Sequence, residues 1–132
     1  MAKVLVFEQG KEPYTKEVNC LEDEQEIVGG LITAIYPVDV EYDSDSVCLI
    51  GNDESKLLNL EPIALLRDED GQVYDCLNGT FFLTRCNDDG DAIDVTDDDI
   101  RTFTEWWRTH KIDKGSRIYN VCKKYVHDNF LK

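Results

Sequence analysis

Short apolar runs of β type, each closed by a glycine or proline turn signal, succeed one another through the first two thirds of this chain; a helical apolar period replaces them in the last third. Lys3-Val4-Leu5-Val6-Phe7 is bounded by Gln9-Gly10, and the looser alternation from Pro13 to Val18 suits a strand pairing back on it. Leu31 to Tyr36 stops at Pro37, and Val47 to Ile50 stops at a turn over Gly51 to Glu54. Gln72 to Leu77 follows Asp68-Glu69-Asp70-Gly71, a hairpin signal, and Thr80 to Thr84 follows the turn signal Asn78-Gly79. Two stretches are less legible. Ser55 to Leu60 is ambiguous, and Pro62 to Leu66 reads as one helical turn or an irregular core segment. Strands first and helices last imply an α+β fold: a mostly antiparallel sheet, a short helix after the first strands, and two C-terminal helices packed on one face of the sheet.

The helices carry their own punctuation. Glu22 to Val28 opens with Glu22, Asp23 and Glu24, which suit the positive end of a helix dipole, and closes at Gly29-Gly30, a C-cap signal. Thr96 is an N-cap for a helix from Asp97 to about His110. Ile100, Phe103 and Trp107 form its apolar face, with Trp106 pointing elsewhere. Trp106 is then either half exposed, as a contact residue, or buried under the final helix, and burial is the favoured reading. That final helix begins near Ser116, with Ile118, Val121, Cys122, Tyr125 and Val126 as its stripe.

Charge follows the same division. The net charge is −14; residues 1–100 carry 25 acids and six bases, whereas residues 101–132 carry eight bases and three acids. At 132 residues the chain reads as one domain, an acidic α+β body over about 1–100 with a basic helical tail over about 101–132. Asn87 to Asp99 contains seven aspartates and no base, and Asp39 to Ser46 reads as a second acidic loop. Such charge favours solubility and repels nucleic-acid phosphates and anionic membranes, so direct nucleic-acid binding by the body is disfavoured. The plain reading is a solvated acidic surface, and the sharper one is a face for a basic protein. No apolar run approaches the roughly 20 residues that span a bilayer. Met1 to Phe7 is too short and too weakly basic for a signal peptide, so a cytoplasmic protein is expected.

The chemistry of a catalytic or metal site is missing from the pattern. The five cysteines, Cys20, Cys48, Cys76, Cys86 and Cys122, form no CxxC pair and are expected to be reduced and buried as small apolar residues. Cys122 and His127 are five apart, which is not a same-face helical spacing for a nucleophile and its base. The aspartate runs fail the calcium-loop template: with Gly71 at the loop glycine, Leu66 and Leu77 fall on ligand positions, and with Gly90 there, Arg85 does. Gly29-Gly30 follows a helix, whereas phosphate-cradling loops follow a strand. No catalytic residue, metal or cofactor is expected, and an enzyme is the least supported class.

Four ordered segments carry a resemblance. Ile27-Val28-Gly29-Gly30-Leu31-Ile32, Gly51-Asn52-Asp53-Glu54-Ser55-Lys56-Leu57, Arg67 to Asp75 and Asn78-Gly79-Thr80-Phe81-Phe82 together resemble the domain-of-unknown-function 3846 family, over roughly Lys3 to Trp107. The resemblance implies a setting in phages, plasmids and mobile elements, with relatives beside counter-defence genes, and it implies no enzyme activity. The chain departs from the family at Ile63-Ala64, where an Asn-Arg pair is common, and the basic helix over residues 116–131 is an addition.

The leading functional expectation is a non-enzymatic counter-defence inhibitor, of anti-CRISPR or anti-restriction type, whose acids occupy a basic nucleic-acid-binding surface of a host defence nuclease. Its candidate contact residues are Asp39, Glu41, Asp43, Asp45, Asp88, Asp89, Asp91, Asp94 and Trp106. The alternatives are a small-ligand or regulatory module of phage or plasmid metabolism, with a pocket near Gly29-Gly30 and the Asn52 to Lys56 turn, and a homodimeric interaction protein using Trp106 and the final helix.

Overall fold

The computed structural model describes residues 1–37, 39, 40, 42 and 46–131. They form β1 (Ala2–Phe7), β2 (Tyr14–Val18), α1 (Leu21–Val28), β3 (Ile32–Ile35), β4 (Val47–Asn52), β5 (Pro62–Arg67), β6 (Val73–Asn78), β7 (Phe81–Cys86), β8 (Ala92–Ile93), α2 (Asp97–His110), α3 (Arg117–Val126) and a closing π-helical turn, His127–Leu131. The main sheet runs β2-β1-β7-β4-β3, with β8 pairing to the end of β7, while β5 and β6 form a separate hairpin. Every strand pairing is antiparallel. The fold is α+β.

Side-chain alternation sorts the main sheet into two faces. Val4, Val6, Ile50 and Phe82 pack with Val28 of α1 on one face. Leu5, Phe7, Leu49, Phe81 and Leu83 face the opposite way, onto the β5–β6 hairpin and onto Phe103, Trp106 and Trp107 of α2. The hairpin's outer side forms a third cluster, Leu65 and Cys76 with Ile112 and Cys122, and this is where α3 packs. The helices are therefore divided among three surfaces rather than gathered on one. Because α2 shares a core with β1, the change of charge near residue 100 is not a structural boundary.

Pro62 to Leu66 is a strand, not a helical turn. Leu65 lies opposite Cys76 and Leu66 opposite Asp75. All five residues are buried because the hairpin is covered on both sides, so the alternation that marks a strand is erased. Pro62 sits at the first strand position, where a missing N–H is tolerated. The segment after α2 extends this layer, with the Ile112 N–H donating to the Ile63 carbonyl at 2.8 Å.

Three other boundaries moved. β4 continues through Gly51 and Asn52, so its turn begins at Asp53. The Asp-rich segment includes the two-residue strand β8. Asn78-Gly79 does not join paired strands, since β6 and β7 belong to different sheets. Gly79 has φ 79°, and a Cβ there would lie 2.7 Å from Leu60 Cδ1, so the crossing between layers needs a glycine twice over.

Trp106 does not point away from its neighbours' core. Asp99, Phe103, Trp106, Trp107 and His110 form the buried face of α2, a stripe wide enough to take two adjacent residues. Nor does α3 cover Trp106. Its ring meets Phe7 and Phe81 edge-on at 6.3 and 6.2 Å and stacks on His110 at 4.6 Å. Of the cysteines, Cys76 and Cys122 are buried as expected, Cys48 and Cys86 are half-buried, and Cys20 is exposed.

Candidate protein-binding surface

The register of the main sheet brings the acidic segments to one end. β7 ends at Cys86 and enters the Asp-rich turn; Val47 at the start of β4 lies opposite Arg85, and the Cys86 N–H donates to the Ser46 carbonyl at 2.8 Å. Ser46 and the Asp-rich turn over residues 87–94 therefore flank the same strand pair. β2 ends here too, with Val18 opposite Ala2, and leads into the acidic first turn of α1. Asn19, Leu21 and Glu24 share a shallow cleft with Asp91. Glu24 thus joins the candidate surface, with Glu22 and Asp23 in the same helical turn and the Asp23 carboxylate accepting the Asn19 N–H at 2.8 Å. Reading the sequence alone assigned them only to the helix dipole, because nothing local says that α1 begins beside the β7–β8 turn.

The turn is held from within. Asn87 Oδ1 accepts the N–H groups of Asp89 and Asp91 at 3.0 and 2.9 Å, and the Asn87 N–H donates to the Asp91 carbonyl at 2.9 Å. Gly90, at φ 83°, supplies the left-handed residue that closes it. Asp88, Asp89 and Asp91 are left exposed, and none forms an ion pair among the described residues. Asp94 differs, since its Oδ1 accepts the Lys3 N–H at 2.7 Å and ties β8 to the start of β1. Burial raises the Glu24 carboxyl above its ordinary value.

Two nominated residues face inward. Asp39 accepts from Trp106 Nε1 at 3.3 Å and pairs with His110 Nε2, so its carboxylate joins the linker to α2 rather than a partner. Trp106 is 5% exposed and is a core residue, not a contact. Glu41, Asp43 and Asp45 lie outside the described residues. Beneath the surface, Asp99 receives Arg85 Nε and Nη2, both at 2.7 Å, the Thr96 N–H at 2.8 Å and the Tyr42 hydroxyl. Burial alone would raise the Asp99 carboxyl; these donors outweigh it and hold the group at about 2.

The small-ligand reading has its own place in the fold. A groove of about 480 Å³ lies between the main sheet and β6, lined by Asn52 to Leu57, Asp75 and Tyr74 among others. Gly29-Gly30 does not line it. Gly29 caps α1 at φ 81°, its N–H donating to the Gln25 carbonyl at 2.8 Å, and Gly30 lets Asn52 approach. Asn52 is itself occupied, donating to the Val28 carbonyl at 3.1 Å and accepting the Glu54 N–H at 2.7 Å. Lys56 is held by the Cys76 carbonyl and Asp75, at 3.0 and 3.2 Å. Among the described residues no group of three potential metal ligands occurs, and no helix is long and apolar enough to cross a membrane.

A model of the family described as a domain of unknown function (DUF3846) matches residues 1–108. The chain belongs to this family. The DUF3846 match takes in both faces of the main sheet, the β5–β6 hairpin and nearly all of α2, and it leaves out α3 and the π-helical turn. No match was found among curated proteins or among solved structures.

Proposed function

We propose that this DUF3846 protein is a non-enzymatic binding protein of a phage or mobile element, whose acidic sheet end occupies a basic nucleic-acid-binding surface of a host protein. A defence nuclease is the partner class, which makes the role counter-defence, of anti-CRISPR or anti-restriction type. The observation that carries this reading is the convergence of the α1 first turn and the Asp88–Asp91 turn at one sheet end, with the Asp88, Asp89 and Asp91 carboxylates unpaired by any base among the described residues. Carboxylates fixed on a short internally bonded turn lose little freedom on docking, and their field speeds encounter with a cationic surface. The choice of partner class follows the setting beside counter-defence genes that the sequence resemblance implies.

The test is capture of host proteins on the purified chain at low ionic strength, followed by titration of any nuclease recovered. Asp88→Lys, Asp89→Lys and Asp91→Lys together should weaken that complex by about 100-fold, and added salt should weaken the wild-type complex steeply. A nuclease complex indifferent to the triple charge reversal, or none at low salt, would sink the proposal.

A further inference from the structure

The apolar stripe of α3 is only half used. Cys122 and Val126 are buried, but Val121 is 56% exposed and Tyr125 48%. They do not stand alone. Ile118, Val121 and Tyr125 share a groove of about 230 Å³ with Val73 and Tyr74 of β6, themselves 45% and 53% exposed, over a floor of Cys76 and Cys122. Phe130 extends this surface, its ring edge-on to Tyr125 at 6.2 Å. Asp75 is the one charged residue lining the groove. A contiguous exposed apolar face of this kind on a small polar domain marks an interaction surface.

The rim says what fits it. On the hairpin side the face is bounded by the turn that precedes Val73, bearing Asp68, Glu69 and Asp70. On the helix side Arg117 and Lys124 flank Val121 and Tyr125. Glu69, Asp70 and Arg117 form no ion pair among the described residues, and the Lys124–Asp128 bridge is exposed and weak. The rim is therefore acidic on one side and basic on the other. An acidic partner would satisfy only the helix side, and a basic one only the hairpin side. A second copy related by a two-fold axis that runs along the groove satisfies both, because that operation lays the helix side of each copy against the hairpin side of the other.

We propose that the β6–α3 face is a two-fold interface with a second copy of this chain. Apolar side chains meet across its centre, and Arg117 and Lys124 of each copy face Glu69 and Asp70 of the other. Only the α3 side of the seam belongs to the basic part of a chain of net charge −14, and its bases offset the acids of the hairpin side. The seam depends on α3, which lies outside the residues that match DUF3846.

Sedimentation velocity on the full chain, over about a hundredfold range of concentration, tests this directly. The wild type should shift from monomer to dimer. Val121→Glu and, separately, Tyr74→Ser should raise the dimer dissociation constant about tenfold or more, with unchanged circular dichroism because both residues are exposed. Arg117→Glu and Glu69→Lys should each weaken the dimer, and the two together should restore it, since the exchanged charges again face each other. A chain that stays monomeric throughout overturns the proposal, as does a dimer indifferent to Val121→Glu and Tyr74→Ser. Failure of the double charge exchange to restore association overturns the two-fold arrangement. No other protein takes part, so the outcome is independent of the acidic-end proposal.

Discussion

Asp99 carries more structural roles than any other carboxylate described. It completes the capping box of α2 with Thr96, takes two hydrogen bonds from Arg85 and accepts the Tyr42 hydroxyl, all with no solvent exposure. Its folded value of about 2 lies below the usual carboxylate value, so its contribution to stability is present in full above about pH 4 and is lost as the pH falls towards 2. That contribution is about 2 to 3 kcal/mol. Acid titration followed by circular dichroism should show the loss, and Asp99→Asn should flatten that part of the curve. Asp99→Ala should cost about 3 kcal/mol in urea unfolding at neutral pH, since Arg85 keeps some exposure when its partner is removed. The sequence showed Asp99 as one of seven aspartates with a dipole role. Its ion pair was invisible because Arg85 reaches it only through the fold, from the end of β7.

Among the elements, α2 was the most legible and the hairpin the least. Thr96 and the aspartates after it announce the start of α2, since N-cap chemistry is local. Thr96→Ala should cost about 1 kcal/mol. The hairpin's β5 has no such local mark, because cover on both sides removes its alternation. Gly79 is similar: its dipeptide signals a turn, but only the packed layers show Leu60 against it. Two substitutions separate these effects. Gly71→Ala meets open space at φ 81° and should cost about 1 kcal/mol, from backbone strain alone. Gly79→Ala adds the collision with Leu60 and should cost about 1 to 3 kcal/mol in the same urea assay, more than Gly71→Ala.

At the scale of the molecule, like charge gathered at one end of the sheet works against the fold. Raising ionic strength from about 10 mM to about 200 mM screens that repulsion and should raise the thermal midpoint, against the small opposing loss from exposed pairs such as Arg101–Asp98 and Arg108–Glu105. A midpoint that falls with salt would mean that the exposed pairs outweigh the repulsion. By itself the sequence determined the α+β class, most strands, the helix caps, the polarity of charge and the family, because these follow from local periodicity, turn chemistry and ordered motifs. Only the tertiary structure decided which acids stand together and which side chains remain outside. It drew the α1 acids to the Asp88–Asp91 turn, turned Asp39 and Trp106 inward, and left Val121 and Tyr125 uncovered. Those outcomes depend on strand register and layer packing between residues far apart in the chain, and no local pattern of residues encodes them.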